Sequence, residues 1–220
     1  MKLALLGRWG LGALMLAGSG ICSAAIVYSN FASSPLYDLN NGNPVGTAFD
    51  GNNYAEGETF TPTADATFTS VQIGLGCAFT CSDSYVVALT ADNTDAPGSV
   101  IESFTLDGTL LPVFGSNTTP VTVNSILNPT LSSGIQYWIT VATDIKNGMA
   151  WNLNTTGDTN DQAQSTDGGS TWFSPSGITP GAFEVDGTLV AGVPEPGSAL
   201  LIGAGLLATY ALGRRRSRLN

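Results

Sequence analysis

The chain is 220 residues long, 43% hydrophobic and only 11% charged, with 17 acidic and 7 basic side chains and no histidine. Without histidine it lacks the commonest general base and the commonest metal ligand, which excludes His-based triads, ordinary zinc sites and His-ligated haem. From Ala25 to Val193 the single cation Lys146 faces 16 carboxylates, a net −15, and such a field repels nucleic acid and anionic lipid.

Residues 1–25 carry Lys2 and Arg8, then an apolar stretch from Leu11 to Ile21, then the small residues Ser23, Ala24 and Ala25. This is the pattern of a secretory signal peptide. It predicts export through the Sec translocon, with cleavage at Ala24 or Ala25. A non-cleaved anchor is the alternative.

Residues 26–190 read as one exported all-β domain. Val71, Ile73 and Leu75 alternate with Gln72 and Gly74. The run Tyr85–Thr90 carries Val87 and Leu89 on one parity. Ile135, Tyr137, Ile139 and Val141 share a face opposite Trp138 and Thr140, and Phe183 alternates with Val185. Turn chemistry separates these runs at 41–44, 96–98, 107–108, 132–134, 167–169 and 186–187, where Gly, Pro, Asn and Asp cluster. Short strands at this spacing predict an antiparallel β-sandwich, with a jelly roll as the expected topology.

Cys77 and Cys81 remain once residues 1–25 are removed. In an oxidising compartment they are expected to pair as a disulfide. A metal reading needs further thiolates or imidazoles, which the chain lacks.

Three acidic clusters stand out: Asp92 with Asp95, Asp158 with Asp161 and Asp167, and Asp50 with Glu56 and Glu58. They read as solvated turn residues. One structural Ca²⁺, with Asp158 and Asp161 as candidate ligands, is the alternative, since calcium takes oxygen ligands from such loops. No local motif marks a glycosidase acid or nucleophile, so no catalytic residues are assigned and the domain is expected not to be an enzyme. Trp138, Trp151 and Trp172, with Tyr54, Tyr85 and Tyr137, are expected to be core aromatics. If some are exposed in a row they can stack on sugar rings, and Trp138 is the best placed for that. Asn117 and Asn154 each begin an Asn-x-Thr triplet.

Residues 191–220 form a separate module: Val193-Pro194-Glu195-Pro196, an apolar helix candidate over 197–213, then Arg214, Arg215, Arg216 and Arg218. Seventeen helical residues span about 25 Å, slightly short of a bilayer core, and the arginines act as a cytoplasmic stop-transfer cluster. This order resembles the PEP-CTERM sorting signal of Gram-negative exopolysaccharide producers. The resemblance implies recognition and cleavage near Pro194-Glu195-Pro196 by an exosortase. The precursor is then anchored transiently in the inner membrane, and the processed protein sits at the cell surface or in the extracellular matrix.

The body carries Tyr28-Ser29-Asn30-Phe31, Phe60-Thr61-Pro62, Ala96–Glu102, Gly134–Trp138, Ala150-Trp151-Asn152, Asp167–Trp172 and Ala182–Gly187 in that order. This series resembles the choice-of-anchor exported domains, type R in particular. The matching positions are aromatics and turn residues that a shared fold requires, without a catalytic signature. The expected role is a structural or interaction one, associated with exopolysaccharide. A lectin-like carbohydrate-binding module, assisted by Ca²⁺, is the alternative.

Overall fold

The structure, a computed structural model, describes residues 24–190 except 117, 144–146 and 176. The sorting residues Val193–Pro196, the 197–213 helix candidate, the arginine tail and most of the 1–25 segment lie outside the described residues.

Thirteen strands follow in chain order: β1 (Ala24–Ser29), β2 (Gly42–Val45), β3 (Ala55–Phe60), β4 (Ala66–Ile73), β5 (Leu75–Cys77), β6 (Ser84–Asp92), β7 (Pro97–Asp107), β8 (Val121–Asn124), β9 (Thr130–Leu131), β10 (Tyr137–Ala142), β11 (Met149–Asn152), β12 (Gln162–Ser165) and β13 (Phe183–Leu189). The described residues are thus all-β, with one short 3₁₀ turn at Gly108–Leu110. All named strand pairs are antiparallel and no sheet closes into a barrel.

The strands form three sheets. The first runs β1-β13-β4-β8, with β9 also on β4; the second runs β12-β3-β10-β6-β7; the third is β2-β11-β5. All three contribute to one apolar cluster. Phe68, Val71, Ile73, Phe183 and Val185 come from the first sheet, Phe60, Val87, Leu89, Ile139 and Val141 from the second, and Val45, Leu75, Met149 and Trp151 from the third. Strand side chains alternate between faces, so the period-two runs at 71–75, 85–90, 137–141 and 183–185 are the runs that supply this core. Ile135 departs from its expected row. It precedes β10 and is 52% exposed.

Three expected turns fall inside or at the edge of strands. Gly42-Asn43-Pro44 lies in β2, an edge strand where a proline withholds no needed donor. Pro97-Gly98 opens β7, and the preceding reversal is made by Thr94 and Asp95 at φ 57° and 61°. Asp186-Gly187 is a register shift within β13 rather than its end: the extra residue is Thr69 on the partner strand β4, a bulge that bends the pair without breaking it.

Cys77 and Cys81 are disulfide-bonded, as expected. Ala24 and Ala25 open β1 opposite Thr188 and Gly187. Val190 donates to the Asp65 carbonyl at 2.9 Å. Both ends of the described chain therefore leave from the same end of the first sheet. No described helix is long and apolar enough to cross a membrane.

Candidate functional site

The Glu56-Gly57-Glu58 segment, expected in a loop, is the middle of β3, and both carboxylates are fully buried. Alternation puts Glu56, Glu58 and Phe60 on the inner face, because their register partners on β10 are the core residues Val141, Ile139 and Tyr137. Gly57 is on the outer face. A Cβ there would lie 2.9 Å from the Pro97 ring and 3.4 Å from Trp138, so glycine allows the 93–97 turn to close over this sheet.

Trp138 lies under that cover. Its parity is outward, as expected, yet it is 0% exposed and its Nε1 donates to Asp92 Oδ1 at 2.8 Å. Trp151 is also 0% exposed and its Nε1 donates to the Ala182 carbonyl at 3.0 Å. Tyr85 and Tyr137 are buried, and Trp172 and Tyr54 are half-buried. None of these six aromatics is exposed, so they form no exposed row.

The inner polar layer is built from β3 and β12. Glu56 accepts from Gln162 Nε2 at 2.9 Å and from Gln164 Nε2 at 2.6 Å. Burial raises its pKa to about 8 against the pull of those two amides. Glu58 Oε1 accepts the Gly181 N–H at 2.6 Å, while Oε2 is buried without a partner. Burial, reinforced by the charges of Glu56 and Asp158, drives the Glu58 pKa well above the usual carboxylate range. A perturbed carboxyl pair is a common mark of acid–base catalysis. Neither residue lines a cleft, however, and both are sealed between sheets.

Above this layer the surface opens into a cleft of about 550 Å³ between the 154–162 segment and the 174–180 segment. Two buried asparagines frame it. Asn154 donates to the Pro180 carbonyl at 2.9 Å and accepts from Thr156 and Asp158, pinning one wall to the other. Asn30 donates to Asp158 Oδ2 at 3.1 Å and to the Gly181 carbonyl at 3.0 Å, and accepts the Phe183 N–H at 2.7 Å. The Asn154 side chain of the Asn-Thr-Thr triplet is thus structural. The other triplet begins at Asn117, outside the described residues.

Asp158 is the hub of this frame. Its Oδ2 accepts from the Tyr28 hydroxyl as well as from Asn30, and its Oδ1 accepts the Asn160 N–H at 3.2 Å. Burial, then the hydrogen bond to Asp158, raises the Tyr28 pKa far above the ordinary phenol range. Asp161 stands on the same wall but is held only through its backbone carbonyl, which takes the Thr59 N–H at 3.1 Å and hydroxyl at 2.8 Å. The structure therefore puts the two expected Ca²⁺ ligands on one wall, with both oxygens of Asp158 already given to protein donors. Among the described residues no three Asp, Glu or Cys side chains are grouped to hold a metal ion.

Asp167 and Asp50 cap turns, whereas Asp92 anchors side chains at the start of β10. Asp167 accepts from Ser165 Oγ at 2.7 Å, Thr171 N at 2.8 Å and Thr171 Oγ1 at 2.7 Å, and these donors hold its pKa at about 2. Asp50 accepts from Asn52 and Tyr54. Asp92 accepts from Gln136 and Trp138.

The cleft frame was missed in the sequence because Tyr28 and Asn30 are 130 and 128 residues from Asp158. Buried Glu56 and Glu58 did leave a signal. Glu56, Glu58 and Phe60 keep strand parity beside the small residues Ala55, Gly57 and Thr59.

Comparison with known families matches residues 192–216 to the PEP-CTERM protein-sorting motif. This motif implies an exported protein that is membrane-anchored before processing, with an exosortase as the processing partner. A search of curated proteins returned no match.

Proposed function

We propose that this chain is a non-catalytic protein of the cell envelope or extracellular matrix, associated with exopolysaccharide and released to its final site by exosortase processing. The observation that carries this reading is the sorting motif at 192–216, which starts directly after the last described strand and its exit at Val190. The signal-peptide pattern of residues 1–25, with cleavage at Ala24 or Ala25, agrees with it. So does the likeness of the body to choice-of-anchor exported domains. The absence of a catalytic role is supported by the burial of Glu56 and Glu58 away from either cleft.

A jelly roll is the topology we propose for the body. A jelly roll follows from folding a long antiparallel hairpin over itself, so that its nested strand pairs alternate between two sheets. Eight strands here show such nesting: β1 pairs β13, β3 pairs β10, β4 pairs β8 and β6 pairs β7. Successive nested pairs fall alternately in the first and second sheets.

The test is deletion of the exosortase in the producing cells. A longer form carrying the arginine tail is expected to accumulate at the inner membrane. Unchanged mass and location in the deletion strain overturn the reading.

A further inference from the structure

We infer that the cleft between segments 154–162 and 174–180 is a binding site for a neutral, hydroxyl-rich glycan, gripped directly by side chains without a bridging metal. The inference rests on the proposed association with exopolysaccharide and names the place and chemistry of that contact.

The cleft has a buried floor and an exposed rim. Asn154, Gln162 and Pro180 form the floor, at or below 5% exposure for the two amides. Gln162 spends its Nε2 on Glu56, and its Oε1 is buried without a partner. That oxygen lies on the inner face beside Glu58, out of reach of the cleft, so contact with a ligand falls to the exposed rim. The rim presents Thr155, Thr159, Asn160 and Asp161, all exposed. The Asp161 carboxylate and the two threonine hydroxyls hydrogen-bond to none of the described residues.

These groups define the ligand. Carboxylate, amide and hydroxyl rims match neighbouring sugar hydroxyls, which both donate and accept. The lining contains no cation, and the −15 field of the body opposes an anionic chain. A phosphate- or uronate-rich polymer is therefore disfavoured relative to a neutral one. Pro175 and Ile178 add the apolar surface on which a sugar face rests. A second cleft of about 300 Å³ shares Thr159, Asn160 and Asp161 with the first and continues past Tyr28 and Gln136. The 159–161 segment is then a ridge with a trough on each side, which suits a chain of several sugars better than a single one.

The walls are preorganised. Asn30, Asn154 and Asp158 tie the ridge to the entry of β13 before any ligand arrives. Little ordering is left for binding to oppose. Both Asp158 oxygens are engaged in that frame, so the direct contact falls to Asp161 and its neighbours.

The experiment is calorimetric titration of the processed protein, purified from producing cells, with the exopolysaccharide of those cells and with its carboxyl-reduced, neutral form. Both are expected to bind, the neutral form at least as tightly, with no change on adding chelator. Asp161→Ala and Asn160→Ala are each expected to weaken binding about tenfold, Asp161→Ala the more because its hydrogen bonds are charge-assisted. Thr159→Val is a third variant, should either of these fail to fold. Ile126→Ser, on an exposed loop elsewhere, is expected to bind as the parent does. Parent-like binding by the folded cleft variants overturns the site while leaving matrix association intact. Loss of binding with chelator overturns direct contact. A parent protein that binds neither polymer removes both the site and the association it rests on.

Discussion

Glu58 Oε1 accepts the Gly181 N–H at 2.6 Å and so joins β3 to the entry of β13 across 123 residues of chain. The other oxygen of Glu58 and Oε1 of its register partner Gln162 are both buried without donors. Glutamine in place of Glu58 keeps an acceptor for Gly181 and brings a donor into that donor-poor space. Glu58→Gln is expected to be neutral or stabilising. Glu58→Ala leaves Gly181 unpaired and opens a void, and is expected to cost about 3 kcal/mol. Urea unfolding midpoints of the two variants check this, and equal losses would contradict it.

Stability is expected to fall as pH rises through the neutral range. Below pH 4.5, the ordinary value for Glu56, folded and unfolded chains both hold its proton and its contribution is complete. Above that the unfolded chain releases the proton while the folded chain keeps it to about pH 8. The unfolded state then binds fewer protons, so stability declines across this window, by up to about 1.4 kcal/mol per pH unit for each such group. Calorimetric Tm values from pH 5 to 8 should decline, and Glu56→Gln should flatten the slope.

Glu102 acts in the opposite sense. Burial pushes its pKa up, but Ser125 Oγ at 2.6 Å, the Leu127 N–H at 2.9 Å and the Ile126 N–H at 2.7 Å bring it below the usual range. Its contribution is present above pH 4.5 and lost as pH falls through the lowered value. Glu102→Ala is expected to cost about 2 kcal/mol and to speed hydrogen exchange at the Ile126 and Leu127 amides. Unchanged exchange there would show that the loop is held by something else.

The Cys77–Cys81 bridge closes a short loop bearing Phe79, whose ring meets Phe49 edge-on at 5.1 Å. Closure entropy grows with loop length, so reduction is expected to cost less than about 3 kcal/mol. Thermal unfolding with and without reductant should show one cooperative transition shifted modestly downward. Loss of the folded state on reduction would refute this.

Trp138→Phe removes the donor to Asp92 while keeping an aromatic ring beneath the 93–97 turn. The expected cost is about 1–2 kcal/mol. The variant should lose part of the blue-shifted emission and keep the share of Trp151, because both indoles are fully buried.

Local pattern reveals what local physics decides. The alternation around Val71, Val87, Ile139 and Val185 marked four core strands, and the cysteine pair and the sorting residues were equally plain. Trp138 is buried, as expected of a core aromatic, but not by the core its parity faces away from: a turn folds over the outer face, which strand parity cannot register. Glu56 and Glu58 were misplaced for a related reason. Charge argues for solvent, and only donors arriving from over a hundred residues away, the Gln162 and Gln164 amides for Glu56 and the Gly181 N–H for Glu58, make an interior position tolerable. Of the cleft only the Asp158 and Asp161 cluster was visible locally, since its partner Asn30 is 128 residues away from Asp158.

The position of β13 has one more consequence. It is the last strand in the chain, yet it sits between β1 and β4. On the proposed route of export from the N-terminus, the first sheet is whole only when Phe183–Leu189 has followed β1 and β4. Completion of that sheet then falls immediately before the 192–216 motif in the order of emergence.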